Sequence, residues 1–274
     1  MPELPEVEVI RQGLLSHVVG CFVVSITCSD KNLRLPLPKS ALQEWVKGHR
    51  INGIIRRGKY LLFSLDNGAG MIAHLGMSGK LGIFPAAVPA ALHDHVVFSF
   101  DDTMQMRYND TRRFGFIQVF PPGRLEKSDP FANLGREPLG DDFNGAYLKE
   151  MAGKRLQPVK NFLLDSRMIA GIGNIYANEI LFYSGIHPAT PVGSISRRKW
   201  DAVADVTRTV LTRAIACGGS TISDFVNSSG KKGYFQLELM VYGRVGERCN
   251  HCSTVIGKQV IGGRSTFFCP VCQK

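Results

Sequence analysis

Near its start the chain carries apolar residues that recur every three or four positions, the spacing of one face of a helix. They are Val7, Ile10, Leu14, Leu15 and Val18. Pro5 suits the first position of a helix, and Gly20 is typical of a residue just past its end. The pattern therefore predicts one amphipathic helix over residues 5–19.

The next hundred residues follow the patterns of strands and tight turns. An apolar run at 60–65 ends at Asp-Asn-Gly, 66–68, which is a good turn signal. Residues 95–100 and 103–108 flank two aspartates and indicate a hairpin. Successive strands favour a β-sandwich or barrel for this part of the chain. The Pro/Gly-rich and polar stretch at 121–138 is typical of a linker between domains.

Beyond residue 140 the apolar positions take on a helical period. Four segments carry it, at about 144–152, 158–167, 174–184 and 196–217. In the last segment Ser196 can cap the start, and one apolar face extends from Trp200 to Ile215. A Gly/Ser-rich loop follows over 218–233, and the tail from Leu237 alternates in short strands around pairs of cysteines.

The composition limits the class of binding partner and the cellular compartment that can be expected. With 274 residues the chain can form two domains, and its 33 Lys and Arg against 23 Asp and Glu give a net charge of +10. This excess favours a polyanionic partner, because each neutralised phosphate releases counterions, although charge alone does not separate nucleic-acid-binding proteins from other basic proteins. No secretory leader is recognisable and no apolar run approaches the roughly 20 residues of a membrane span. We therefore expect a cytoplasmic protein without a membrane partner.

Four of the seven cysteines form two Cys-x-x-Cys pairs with sixteen residues between them. The pairs are Cys249 with Cys252 and Cys269 with Cys272. Two such pairs can hold Zn²⁺ in a tetrahedron, and four cysteine ligands leave no position for a catalytic water, so the metal is expected to be structural. The alternative is two redox pairs, which usually follow a strand and open a helix. By itself a basic zinc ribbon suits a non-catalytic nucleic-acid-binding module equally well.

Seven short blocks, in order along the whole chain, resemble those of the bacterial formamidopyrimidine-DNA glycosylases. They are MPELPEVE (1–8), RRGKY (56–60), HLGMSG (74–79), HDH (93–95), DTRRFG (110–115), GIGNIY (171–176) and GRSTF (263–267). The sister endonuclease VIII group shares the start, but it typically has Gly where this chain has Leu4. Arg112 and Phe114 also favour the purine-directed group.

The resemblance implies an α+β fold in four parts. An N-terminal helix and a catalytic β-sandwich are expected over 1–125, and a hinge over 126–140. A helical domain with a helix–two-turn–helix motif is expected over 141–236, including a lesion-recognition loop at 218–233, and a zinc ribbon over 237–274. The implied partner is double-stranded DNA with an oxidised base, bound by a monomer that holds one structural Zn²⁺.

The resemblance also implies a catalytic role for the N-terminus. After removal of Met1, Pro2 is a secondary amine whose unperturbed pKa of about 8 leaves a sizeable neutral fraction at pH 7. It would attack the deoxyribose and form a Schiff base, followed by β- and δ-elimination. Glu3 would act as acid and base, Glu6 as a supporting carboxylate and Lys59 as a phosphate contact near the lesion. The alternative is that Pro2 and the glutamates only start a helix.

The remaining implied roles are contacts with DNA. His74, Asn174 and Arg264 are expected at phosphates, with Tyr242 and Lys258 as further contacts, and His93 is also expected at the DNA. Met77, Arg112 and Phe114 match the residues that fill the space of the everted base. The alternatives are ordinary core roles for Met77 and Phe114, a strand histidine at 74 and a solvated charge at Lys59. Ser78 stands where some members carry Glu, so a base contact there stays open.

Overall fold

The computed structural model describes residues 2–124, 129–219 and 238–274, with the side chains of 129 and 130 left aside. Met1 and most of the predicted lesion-recognition loop at 218–233 lie outside these ranges. The chain forms two compact units. The first comprises Met1–Ala132 and Cys217–Tyr234, and the second Asn133–Ala216 and Phe235–Lys274. Of the helices in the described ranges, none is both long and apolar enough to cross a bilayer.

The first unit begins with helix α1, Leu4–Val18, which confirms the helix predicted from the period. Its buried face carries Val7, Ile10, Leu14 and Val18, none of which is exposed to solvent. Leu15 is only partly buried at the edge of this face. The chain leaves the helix through Gly20, whose φ of 86° is readily adopted only without a Cβ atom.

Two antiparallel four-stranded sheets follow the helix. The strands are β1 Val23–Cys28, β2 Ile51–Arg57, β3 Tyr60–Leu65, β4 Gly70–His74, β5 Gly79–Pro85, β6 Asp94–Phe100, β7 Met104–Asp110 and β8 Phe116–Phe120. One sheet has the order β1-β6-β7-β5 and the other β2-β3-β4-β8. Residues of both sheets, among them Phe98 and Phe63, share one core with α1, so the unit is the predicted β-sandwich.

Two short helices accompany the sandwich, and neither was predicted. Helix α2, Lys39–Trp45, buries a single residue fully, Leu42, and therefore shows no apolar stripe in the sequence. Helix α3, Asp129–Ala132, is a single turn within the stretch expected to be a hinge.

The second unit contains the predicted helices. They are α4 Gly145–Ala152, α5 Val159–Leu164, α6 Asn174–Tyr183 and α7 Arg197–Ala216. Ser196 caps α7 as predicted, because its hydroxyl accepts the Lys199 N–H at 3.3 Å. Helix α5 is shorter than expected, since the chain is already extended at Asp165. The core packs around Trp200, whose ring lies 5.4 Å from that of Phe162.

The chain ends in a two-stranded ribbon. Strands β9, Gly257–Ile261, and β10, Arg264–Phe268, pair antiparallel so that Ile261 faces Arg264. Gly262 and Gly263 form the two-residue turn with φ of 58° and 72°. Positive φ at both positions fits a type I′ hairpin turn. This turn presents Arg264 at the tip of the ribbon.

Candidate functional site

The four cysteines of the tail converge on one point. Their sulfur atoms all lie within 4.8 Å of one another. The Sγ atoms of Cys249 and Cys272 are 3.9 Å apart, and those of Cys252 and Cys269 are 3.4 Å apart. Four Zn–S bonds of about 2.3 Å in a tetrahedron separate the sulfurs by about 3.8 Å. The cluster therefore fits a tetrahedral zinc ion with four thiolate ligands.

Two buried carboxylates lie at the first turn of α1, beside the buried Pro2. Glu3 precedes the helix, and both Glu3 and Glu6 are only 2% exposed. The Glu3 N–H donates to the Glu6 carboxylate at 2.8 Å. The positive end of the helix dipole favours negative charge at this position. Glu6 thus holds the backbone at Glu3 and fixes the direction of the Pro2–Glu3 peptide.

Glycine 219 brings the chain beyond α7 against this carboxylate pair. A Cβ atom on Gly219 would lie only 3.2 Å from both Cγ and Oε1 of Glu6. Its φ of 81° also favours glycine. The residue that directly precedes the undescribed stretch 220–237 therefore packs on Glu6 through its bare backbone.

Lys59 lies in the turn between β2 and β3, where Arg57 pairs with Tyr60. Gly58, with a φ of 57°, takes the first position of this two-residue turn. The Arg56 guanidinium donates to the Gly58 carbonyl at 3.2 Å and to Glu8 of α1 at 3.1 Å. Arg56 therefore ties the Lys59 turn to the helix that carries Glu3.

Glu8 is the anionic centre of this link. Burial opposes its charge, but hydrogen bonds and charges from Arg11 and Arg56 outweigh burial and hold the pKa of Glu8 below its ordinary value. Arg11 donates to Glu8 at 2.6 Å. The arginines of α1 and β2 thus share one ionised carboxylate.

His74, at the end of β4, is a neutral histidine. Burial first, and then the charges of Lys59 and Arg34, lower its pKa to about 4. Its Nδ1 accepts the Gly76 N–H at 3.1 Å, so Nε2 carries the proton of the neutral ring. The ring stacks on Phe116 with 5.3 Å between centroids. His74 can therefore offer one oriented neutral N–H donor.

Met77 and Phe114 lie on loops and not in the core. They are 40% and 46% exposed, so the alternative of ordinary core roles is wrong for both. The Arg112 guanidinium lies 4.9 Å from the centre of the Phe114 ring. This contact aligns a planar cation with an exposed aromatic face.

Ser78 is not oriented for a base contact. It is 8% exposed, and its hydroxyl donates to Asp110 Oδ1 at 2.6 Å while accepting the Arg112 N–H at 3.0 Å. The fully buried Asp110 was not singled out in the sequence, although it opens the DTRRFG block. His93 lies in the turn before β6, and its carbonyl accepts the Asp110 N–H at 3.1 Å.

In the second unit, buried side chains hold the tip of the ribbon. Lys160 of α5 is fully buried and donates to the Ser265 carbonyl at 2.8 Å and to the Thr266 hydroxyl at 2.7 Å. The Asn174 amide nitrogen donates to the same Ser265 carbonyl at 3.1 Å. Arg264, one residue earlier, is exposed. The role of Lys160 as a support for this turn was not predicted.

Lys258 of β9 and Tyr242, which precedes the ribbon, both pack on Phe267 of β10. The Lys258 ammonium lies 5.9 Å from the Phe267 ring centre, and the Tyr242 ring lies 5.2 Å away, edge to face. Three successive backbone N–H groups ending at Tyr242 donate to the fully buried Glu179 of α6. Glu179 was also not predicted, and it anchors the segment that leads into the ribbon.

Comparison with known proteins covers the chain from end to end. Residues 1–117 match the model of the formamidopyrimidine-DNA glycosylase N-terminal domain, 134–226 that of its H2TH domain, and 246–274 that of a zinc finger found in FPG and IleRS. Together with the sulfur geometry, the last match identifies the four cysteines as a structural zinc site.

Full-length relatives and solved structures agree with these matches. The chain is 45% identical to the formamidopyrimidine-DNA glycosylase of Syntrophotalea carbinolica, with all of both chains covered. It is similar to a mutant of the Lactococcus lactis FPG in complex with DNA containing Fapy-dG, at 34% identity, a TM-score of 0.91 and full coverage of both chains. A complex of that protein with abasic-site DNA has the same identity and TM-score, with 99% of each chain covered. The chain belongs to the formamidopyrimidine-DNA glycosylase family.

Proposed function

We propose that this protein excises oxidised purines, 8-oxoguanine and formamidopyrimidines, from duplex DNA and then cuts the strand at the abasic site. The observation that carries the proposal is the buried carboxylate pair that fixes the Pro2–Glu3 peptide at the start of α1. The Lactococcus lactis relative bound to Fapy-dG DNA supports the same class of substrate. A non-catalytic zinc-ribbon module would not need this arrangement.

The amine of Pro2 is the nucleophile of the proposed reaction. With Met1 removed, its nitrogen attacks C1′ of the damaged nucleotide, and the glycosidic bond breaks with its electron pair leaving on the base. The nitrogen then gives up its proton, and the C1′–O4′ bond breaks as O4′ takes a proton from Glu3, so that the nitrogen lone pair forms the C1′ iminium cation. This cation acidifies the C2′ proton. Loss of that proton expels the 3′ phosphate, and a second elimination expels the 5′ phosphate. Glu3 exchanges protons with the sugar, and Glu6 keeps Glu3 in place.

In the proposed complex, Lys59 and His74 hold the phosphate backbone in different ways. Lys59 supplies a full positive charge from the β2–β3 turn. His74 supplies a neutral Nε2–H donor, since its pKa is about 4. The two therefore combine one screened, salt-dependent contact with one contact that depends on hydrogen-bond geometry.

Residues on neighbouring loops replace the everted base. Met77 and Phe114 are exposed apolar side chains that can enter the vacated stack. Arg112 offers paired donors that suit the acceptors on the exposed edge of cytosine, whereas adenine presents its N6 amino donor. We therefore expect faster excision opposite cytosine than opposite adenine. His93, in the turn before β6, is a further proposed DNA contact.

The second unit supplies further phosphate contacts in the proposed complex. Arg264 and Lys258 lie on the ribbon, Tyr242 precedes it, and Asn174 starts α6, where backbone N–H groups favour anions. A single zinc ion stabilises the ribbon when bound to the four cysteines. We propose that the protein acts as a monomer on the DNA of the bacterial cytoplasm.

Borohydride trapping on duplex DNA with 8-oxoguanine opposite cytosine tests the proposal. The protein processed to Pro2 should give a covalent band and a nicked product. A matched sample with an uncleaved N-terminal tag should give neither, because its Pro2 nitrogen is a tertiary amide, yet it should still bind DNA. Full activity from a homogeneous sample that retains Met1 would contradict the Pro2 nucleophile. Faster excision of thymine glycol than of 8-oxoguanine would indicate endonuclease VIII specificity instead.

A further inference from the structure

The two loops that carry Met77, Arg112 and Phe114 meet over one buried aspartate. We call residues 75–79 and 111–115 the wedge loops. Asp110, the last residue of β7, is fully buried beneath them. Its carboxyl group therefore lies buried beneath the two loops whose exposed side chains are proposed to enter DNA.

Each oxygen of the Asp110 carboxylate serves a different wedge loop. Oδ1 accepts the Ser78 hydroxyl at 2.6 Å, and Oδ2 accepts the Gly115 N–H at 2.8 Å. Ser78 continues the chain of bonds, because its hydroxyl oxygen accepts the Arg112 N–H at 3.0 Å. Hydrogen bonds to an ionised acceptor are about twice as strong as those between neutral groups. One carboxylate therefore connects both loops.

The loop backbones also touch directly. A Cβ atom on Gly76 would lie 2.3 Å from the Gly115 nitrogen, and one on Gly115 would lie 2.4 Å from the His74 carbonyl oxygen. Only glycine permits such an approach. The Arg113 N–H donates to the Asp110 carbonyl at 3.2 Å, and Arg113 has a φ of 57°. This left-handed residue reverses the chain between Arg112 and Phe114.

We propose that Asp110 and Ser78 are positioning residues that set the wedge loops before DNA binds, and that they thereby govern discrimination of the base opposite the lesion. The inference rests on the proposed function. A side chain that must enter a base stack loses less free energy on binding when its loop is already held in place. Arg112 can distinguish cytosine from adenine only if its backbone is fixed, and Ser78 holds that backbone.

The chemistry of the pair predicts which substitutions matter. Asp110→Asn keeps the volume but replaces one acceptor oxygen by an N–H₂ donor, which must face either the Ser78 hydroxyl or the Gly115 N–H. Ser78→Ala removes the bridge to Arg112 and leaves the carboxylate in place. Ser78→Thr retains the hydroxyl and should rescue function.

The test measures excision by these variants from duplexes that carry the lesion opposite cytosine or opposite adenine. On duplex DNA with 8-oxoguanine, Asp110→Asn and Ser78→Ala should excise about tenfold more slowly opposite cytosine, the rate equivalent of one lost hydrogen bond to a charged group. Their preference for cytosine over adenine should fall towards one. Ser78→Thr should keep both values near those of the unmodified protein. Ser99→Ala, which removes a hydroxyl bonded to Gln105 on the same sheet, should change neither.

A single-stranded oligonucleotide with an abasic site distinguishes failure of the proposed function from failure of the positioning role. Borohydride trapping on it needs the Pro2 amine but no wedge, so all variants should trap within twofold of the unmodified protein. If the unmodified protein fails to trap, the proposed function is wrong. If it traps and Ser78→Ala retains the rate and the preference for cytosine on duplex DNA, the positioning role is wrong. This second result decides the question even if Asp110→Asn does not fold.

Discussion

Because His74 is held neutral in the folded protein, it lowers the free energy of unfolding at acidic pH. At pH 8 the ring is neutral in both the folded and the unfolded chain. Below the unfolded pKa of about 6.5 the unfolded chain binds a proton at this residue, while the folded protein does so only near its pKa of about 4. The folded state binds fewer protons in this window, so the free energy of unfolding falls as the pH falls through it.

The pKa shift of His74 fixes the size of the effect. A shift from 6.5 to about 4 corresponds to about 3 kcal/mol once the pH is below both values, and to about 2 kcal/mol at pH 5. His74→Asn removes the titrating group, and its amide oxygen can still accept the Gly76 N–H. The variant should lose stability at pH 8, because the stacking on Phe116 is gone. From pH 8 to pH 5, however, its free energy of unfolding should fall by about 2 kcal/mol less than that of the unmodified protein.

Urea unfolding at pH 8 and pH 5, followed by circular dichroism, measures this difference. Zinc loss and the titration of other groups affect both proteins. Subtracting the pH-dependent change in the free energy of unfolding of one protein from that of the other therefore cancels these contributions. Phe116→Leu is the matched control, since it removes the stacking partner but keeps the histidine, and it should retain the full pH dependence. An equal loss of stability for His74→Asn and the unmodified protein over this range would refute the depressed pKa.

Three further predictions address the metal, the Lys59 turn and the phosphate contacts. Cys252→Ser should lose zinc by elemental analysis and nearly all DNA binding, while the β-sandwich stays folded, because a structural site stabilises its own module. Arg56→Lys cannot bridge Glu8 and the Gly58 carbonyl in the same way, so strand cleavage at an abasic site should slow about tenfold with duplex affinity little changed. Arg264→Ala should flatten the salt dependence of duplex binding by about one unit, whereas His74→Asn should weaken binding without changing that slope.

The fold could be predicted where apolar residues follow a period. Helices α1 and α7 each bury one face, so their spacing was visible in the sequence. Helix α2 was not, because it fully buries only Leu42. The end of α5 at Leu164 was also missed, since the extended backbone at Asp165 leaves no apolar signal. The spacing of apolar residues reveals elements that bury one face, and it does not reveal elements that bury few residues.

The site divides in the same way. The zinc ligands were predictable because their chemistry demands a fixed local spacing. Asp110, Lys160 and Glu179 were not, because each is a buried ionisable side chain with hydrogen-bond partners that are distant in sequence. Ser78 is 32 residues from Asp110, and Ser265 is 105 residues from Lys160. Only folding brings such partners together, and a single sequence does not show which buried polar side chain bonds to which distant group.

The contacts of Asn174 lead to a final prediction about how two phosphate contacts depend on each other. Its amide nitrogen faces the Ser265 carbonyl, and this assignment is required, because an amide oxygen there would oppose another acceptor. The remaining Oδ1 is buried and has no hydrogen-bond partner among the described residues. An oxygen at this position would repel a phosphate. The side chain of Asn174 therefore acts on DNA through the ribbon turn that carries Arg264, while the backbone at the start of α6 is available to the phosphate.

A double-mutant cycle on duplex affinity tests this dependence with Asn174→Ala, Arg264→Ala and the double variant. If Asn174 acts by holding the Arg264 turn, its loss matters little once Arg264 is absent, and the two effects should fall short of additivity by at least about 0.5 kcal/mol. Asn174→Ala alone should also flatten the salt dependence, since a loosened Arg264 neutralises its phosphate less completely. Effects that add within about 0.3 kcal/mol would instead show that Asn174 and Arg264 bind DNA independently.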